Sequence, residues 1–279
     1  MLVNLNDVLP KAKENKYAVG LFNTTDTDML EAVISAAEEL NSPVIIGTAE
    51  VLLPFGELKL IAPSIIAAAK RASVPVVVHY DHGLTMDRCY EAIELGFSSI
   101  MFDGSAAAPE ENLTKTAEMV RYAHERGISV EGEIGHVGNA DVGDNETDDK
   151  YTTPEEAKAF VERTGVDALA VAIGTAHGAY KTAPKLDIER LKAIRNATDT
   201  PLVLHGGSGL SDDDFRNTVA GGIAKVNIFT DLCVAGLNAV KNSKSSDYLT
   251  VRNEKVAAIK EAVKKKILLF GSAGKANAK

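Results

Sequence analysis

Apolar residues recur along this chain in two alternating rhythms. Short runs of four to seven, rich in valine and isoleucine, are separated by longer stretches whose apolar positions return every three or four residues. The short runs read as strands at 17–23 (YAVGLFN), 43–46 (PVII), 75–79 (PVVVH), 99–102 (SIMF), 129–133 (SVEGE), 168–173 (ALAVAI), 201–205 (PLVLH) and 223–228 (IAKVNI). Helical patterns follow them, for example at 27–40, 109–126 and 187–197. Ser211 with Asp214 three residues on has the form of a capping box, and Pro154 suits a first helical position. Eight strand–helix units without an obvious linker predict a single (β/α)8 TIM barrel over 1–279, with C-terminal helices from about residue 231. An open doubly wound sheet is the alternative, but no GxGxxG opens a helix after the first strand.

Composition narrows the partners. A 45% hydrophobic content suffices for a full core, and the net charge of −9 argues against nucleic acid or an anionic membrane as partner. A small phosphorylated ligand stays compatible, because a pocket can be locally positive on an acidic protein. The first residues hold no apolar stretch of signal-peptide length, and no run of about 18 apolar residues occurs. Cys89 and Cys233 fall in predicted helices with no CxxC spacing. Together these features predict a cytoplasmic protein with reduced thiols.

The chemistry-bearing residues gather where such barrels work, at the C-terminal ends of strands. The segment VPVVVHYDHG (74–83) ends an apolar run in His79, Asp81 and His82 before Gly83 turns the chain. Strand 4 runs into Asp103, and strand 5 carries Glu131 and Glu133. His177 follows strand 6, and His205 closes strand 7. Three imidazoles from separate strands, His82, His177 and His205, match the ligand set of a catalytic zinc with an open fourth position. Such an ion also explains how Asp81 could stay charged at a buried strand tip.

The other histidines are given quieter roles: His79 orients a ligand from within the strand, His124 is solvated at a helix end, and His136 stays off the site. Gly206-Gly207-Ser208-Gly209 and Asn227 to Thr230 follow strands 7 and 8, where barrels commonly hold phosphate. Residues 137–152, VGNADVGDNETDDKYT, form a long acidic loop expected to act as a lid. Lys225 on strand 8 is a candidate Schiff-base lysine that periodicity alone does not dismiss.

VPVVVHYDHG resembles the first signature of the class II, metal-dependent ketose-bisphosphate aldolases, and VEGEIGHVGNAD (130–141) resembles the second. AIGTAHGAY, VLHGGSGL and KVNIFTD are similar to further family blocks in the same order, so the resemblance runs from about residue 5 to 272. It implies reversible cleavage of a ketose 1,6-bisphosphate to dihydroxyacetone phosphate and glyceraldehyde 3-phosphate. Fructose 1,6-bisphosphate is the default substrate, with its C4 epimer tagatose 1,6-bisphosphate the alternative. A non-catalytic barrel subunit is the rival from another class, and it predicts loss of one of Asp81, His82, His177 or His205; all four are present.

By the same resemblance, His82, His177 and His205 hold the zinc and Asp81 handles the proton of the C4 hydroxyl. Gly178, Lys181, Gly206, Gly207, Ser208, Asn227, Ile228, Phe229 and Thr230 hold the phosphorylated fragment. Asp103 and Glu133 serve a second divalent ion found in some members, a monovalent cation (Na⁺ or K⁺) lies near the phosphate in some, and the assembly is a homodimer or homotetramer. Two departures touch the substrate end. Asp141 stands where the family usually has a lid glutamate, with Glu146 a substitute, and FNTTDTD (22–28) replaces an FNVNNLE-like stretch expected to line the aldehyde end. The C-terminal part lacks an Asp-Pro-Arg segment linked to the tagatose branch, although Arg252 lies nearby.

Overall fold

The computed structural model describes residues 1–135, 137–139, 151–178 and 184–277. His136, Asp141, Glu146, Lys181 and most of the expected lid lie outside the described residues. Eight parallel strands form the barrel: β1 (Val19–Asn23), β2 (Val44–Ala49), β3 (Val76–Gly83), β4 (Ser99–Phe102), β5 (Ser129–Ile134), β6 (Ala168–Val171), β7 (Leu202–Leu204) and β8 (Ile223–Ile228). Neighbours in sequence are neighbours in the sheet, and β8 pairs with β1 through Lys225 opposite Val19 and Asn227 opposite Leu21, which closes the ring. Every expected strand is therefore present, and each lies within about four residues of its expected end.

The helices are α1 (Leu5–Glu14), α2 (Thr27–Glu39), α3 (Leu58–Arg71), α4 (Met86–Leu95), α5 (Pro109–His124) and α6 (Pro154–Thr164). They continue with α7 (Ile188–Ala197), α8 (Asp212–Gly221), α9 (Thr230–Asn242) and α10 (Tyr248–Phe270). The caps follow the sequence. Ser211 and Asp214 make the reciprocal capping box of α8, and Thr153 with Glu156 does the same for α6, where Pro154 opens the helix. Among the described residues, no helix is long and apolar enough to cross a membrane.

The period of two along each strand sorts residues into two cores. Phe22, Ile46, Val78 and Leu204 face outward and pack with the helices. Leu21, Ile45, Val77, Ala170 and Val203 face inward, joined by Leu5, Val8, Leu9 and Ala12 of α1. Above that apolar floor the inward positions turn polar, which is where the site begins.

β3 differs from its expected form: it runs through His82 to Gly83 instead of stopping at His79. On one side it pairs with β2 as far as Asp81, opposite Ala49. On the other its register with β4 slips between Tyr80 and Gly83, and His82 takes φ 42°, an unusual value for a residue with a side chain. The bulge is what turns both Asp81 and His82 towards the same mouth. Glu50, at the start of a 3-10 turn (Glu50–Phe55), secures the exit by accepting from Leu84 N at 2.9 Å, Thr85 N at 3.2 Å and Thr85 Oγ1 at 3.0 Å.

Gly83 is required there, since a Cβ would meet Cys89 Sγ at 2.3 Å and the Met101 carbonyl at 2.6 Å. Gly83→Ala should therefore lower the unfolding free energy by about 1–3 kcal/mol, seen as a lower denaturant midpoint at unchanged slope. An unshifted midpoint would mean that the bulge tolerates the methyl group.

The structure divides the FNTTDTD stretch between two roles. Only Asn23 of it borders the central cavity. Asp26 caps α2 at Met29 N, 2.8 Å, and both Asp26 and Asp28 pair with Lys255 of α10. Arg252 pairs with Asp28 at 2.8 Å and with Glu31, so it too is committed to holding α10 against α2. The acidic side chains of that loop thus serve helix docking, while Asn23 remains at the cavity.

Candidate active site

A cavity of about 500 Å³ opens at the C-terminal mouth of the barrel. Asp81, His82, Asp103, Glu133 and His177 lie along it. So do Gly178, Gly206, Gly207, Ser208 and the run Asn227 to Thr230. His205 is fully buried just behind this wall. The described residues expected at the site thus converge on one place.

Asp81 is held from two sides. Asn23 Nδ2 donates to its Oδ2 at 2.8 Å, and Asn227 Nδ2 donates to its Oδ1 at 2.9 Å. Burial works against its charge, yet His82, Lys225 and His205 outweigh burial and hold the carboxyl well below the usual range. It is an ionised acceptor, fixed in orientation and bordering the cavity.

The donor atoms of His82, His177 and His205 lie within 4.8 Å of one another. His82 gives its Nδ1 to Asp103 Oδ2 at 2.8 Å, and His205 gives its Nε2 to Glu131 Oε1 at 2.8 Å. That leaves His82 Nε2 and His205 Nδ1 facing each other at 2.7 Å, while the buried His177 Nε2 has no partner among the described residues. Two lone pairs so close repel unless a proton or cation lies between them. With outer nitrogens anchored on carboxylates and inner nitrogens converging, the donor set suits a divalent metal. Burial disfavours the cationic form of His82, but Asp81, Asp103 and Glu133 push its pKa up to about 10. The mouth is built to hold positive charge.

A second group, His82 with Asp103 and Glu133, also brings its donor atoms within 4.8 Å. Burial and the nearby Asp103 push the Glu133 carboxyl well above its ordinary value. Among the described residues its Oε2 is buried without a hydrogen-bond partner, which a second cation or a proton would satisfy.

On the opposite wall, Ser208 Oγ accepts from Phe229 N at 3.2 Å, tying the β7 loop to the start of α9. The hydroxyl keeps its own proton to donate, and Asp231 N in the first turn of α9 lies 3.5 Å from the same oxygen. Gly206 has φ 64°, and a Cβ there would meet the Ala176 carbonyl at 2.4 Å. Glycine here lets the β7 loop pack directly against the backbone of Ala176.

Three residues at the site escaped the sequence reading in these roles. Asn23 orients Asp81. Glu131 and Lys225, both fully buried, form an ion pair at 2.7 Å beneath the imidazoles. The signal was available: a charge inside an apolar strand, in VEGEI and IAKVNI, demands an opposite partner. Lys225 is not among the cavity-lining residues, which removes the support for a Schiff-base role. His79 is fully buried with Nδ1 on Ser99 Oγ at 2.8 Å, and burial together with Lys225 brings its pKa down to about 3. His124 is exposed at the end of α5, as expected, and contacts Asp167 Oδ2 at 2.8 Å.

A closed parallel barrel with a fixed carboxylate beside converging imidazoles defines a barrel with a candidate metal centre at its mouth. The description of class II fructose-bisphosphate aldolases matches residues 3–275, and the chain belongs to that family; it is an aldolase, a carbon–carbon lyase. The crystal structure of the YdjI aldolase from Escherichia coli K12 is similar with a TM-score of 0.91 at 41% identity, covering 99% of this chain and 100% of that one. A 6-phospho-5-dehydro-2-deoxy-D-gluconate aldolase of Halalkalibacterium halodurans is 40% identical over 283 residues, 99% of this chain and 98% of that protein. A fructose-bisphosphate aldolase of Staphylococcus aureus is 38% identical over 289 residues, 99% of each.

Proposed function

We propose that this aldolase reversibly cleaves a ketose 1,6-bisphosphate between C3 and C4, releasing dihydroxyacetone phosphate and glyceraldehyde 3-phosphate. Fructose 1,6-bisphosphate is the first substrate assigned, and tagatose 1,6-bisphosphate the second. The observation that carries the reading is Asp81, an ionised carboxylate held by two amides beside the imidazole cluster and across the cavity from a phosphate cradle.

In this mechanism Asp81 accepts the proton of the C4 hydroxyl, and its lowered pKa keeps the resting carboxylate deprotonated and so able to accept. Asn23 and Asn227 keep both carboxylate oxygens aimed as the proton transfers. Gly178, Gly206, Gly207, Ser208 and the run Asn227, Ile228, Phe229 and Thr230 bind the C1 phosphate through backbone N–H groups and hydroxyls. The Asn227 amide faces the substrate end of the same wall. His82, His177 and His205 would hold a zinc ion, with Asp103 and Glu133 completing a second divalent site around His82. Zinc bound there supplies Lewis-acid polarisation of the C2 carbonyl. Asp141 and Lys181, assigned to proton exchange and phosphate binding, complete the proposal from outside the described residues. A monovalent cation near the phosphate, a homodimer or homotetramer, and a cytoplasmic setting belong to the same reading.

A coupled assay of the purified zinc-loaded protein against both bisphosphate epimers tests it. Dihydroxyacetone phosphate should be released from at least one, at a kcat/KM of about 10⁴ M⁻¹s⁻¹ or more, the low end for enzymes on their own substrates. Release only from a ketose 1-phosphate lacking the second phosphate would keep the chemistry and overturn the bisphosphate assignment.

A further inference from the structure

The Lys225–Glu131 pair lies one layer below the proposed metal, with both side chains completely buried. Buried ion pairs rarely stabilise a fold more than apolar residues of the same size would. What this pair does have is a route to the site. Lys225 Nζ is 2.7 Å from Glu131 Oε2, and Glu131 Oε1 is 2.8 Å from His205 Nε2. A carboxylate paired with an ammonium offers acceptors only, so His205 must donate its Nε2 proton to it.

The other side of the ring agrees independently. Asn227 Nδ2 is fixed as the amide nitrogen because it faces Asp81 Oδ1 at 2.9 Å, and that same nitrogen lies 3.3 Å from His205 Nδ1. Both neighbours therefore select one tautomer, in which Nδ1 carries no proton and faces His82 Nε2 at 2.7 Å.

We propose that Lys225 is a positioning residue: through Glu131 it locks His205 in the Nε2–H tautomer and so presets one nitrogen of the metal cluster. Lys225 touches neither substrate nor metal. It prevents the Glu131 carboxylate from rotating, and an acceptor held in place fixes both the proton and the plane of the ring. The proposal rests on the imidazole cluster being a zinc site.

The test compares wild-type protein with Lys225→Met, the conservative Lys225→Arg, and the neutral pair Lys225→Met/Glu131→Gln, which buries no charge if the single variant fails to fold. Zinc affinity is measured by competition with a chelator, and the visible spectrum is recorded after cobalt substitution. Lys225→Met should weaken zinc binding about 10–100-fold and shift the cobalt bands, with Lys225→Arg recovering most of the loss. The neutral pair should also bind more weakly, because its amide can turn either face to His205. Wild-type affinity and spectrum in Lys225→Met, or in the neutral pair, would overturn the proposal and leave the lysine a purely structural residue. If the wild-type protein itself binds no zinc at the cluster, the reading of the site fails first, so the two failures are distinguishable.

Discussion

Asp81→Ala is expected to lower turnover by about 10²–10⁴-fold, the range for loss of a general base, while metal content stays at the wild-type level. The separation of effects follows from geometry. Asp81 borders the cavity but is not part of the imidazole cluster, whose outer nitrogens rest on Asp103 and Glu131. Removing the carboxylate leaves the Asn23 and Asn227 amides without their acceptor, a cost of about 1–3 kcal/mol to stability for each buried group left unsatisfied. Asp81→Asn is the companion variant, because it keeps the shape and cannot take a proton. Turnover within tenfold of wild type in both variants, with metal retained, would assign the base elsewhere.

Removal of the metal should have the other large effect. Dialysis against a strong chelator is expected to reduce cleavage to the background rate, and stoichiometric zinc should restore it. A stability change accompanies the activity change: an ion present at 1,000 times its Kd stabilises the folded state by about 4 kcal/mol, so the metal-free protein should melt several degrees lower. Full activity in the chelator, with a borohydride-trapped lysine, would point to imine chemistry. The burial of Lys225 against Glu131 makes that outcome the unexpected one.

Most of the fold was legible because the strands carry short valine- or isoleucine-rich runs, and several helices, such as α2, α6 and α8, begin with a residue that caps them. The mouth was legible for a related reason. His82, His177 and His205 interrupt or end apolar runs beside glycine, and only a strand tip accommodates that combination. The polar layer below was harder. Glu131 and Glu133 share one parity on β5, and Lys225 and Asn227 share one on β8, so alternation says that all four point inward but gives no depth. Depth depends on the stagger between strands, which the pairing of Lys225 with Val19 and Asn227 with Leu21 sets. The bulge in β3 was hidden for the same reason. It arises from β2 and β4 holding different registers against one strand. The docking role of Asp26 and Asp28 was hidden because acids after a strand look like pocket lining until α10 brings Arg252 and Lys255 to them.

The pairing of β8 with β1 also governs how the chain reaches this shape. Leu21 emerges early from the ribosome, whereas its partner Asn227 is made only after most of the polypeptide has been translated. Until then the sheet has two unprotected edges, a state that invites association between nascent chains. Sealing the ring is a contact of very long sequence separation and is expected to be a slow step in maturation. A chain truncated before residue 223 would keep those edges permanently, so premature termination should yield aggregates instead of a smaller soluble enzyme.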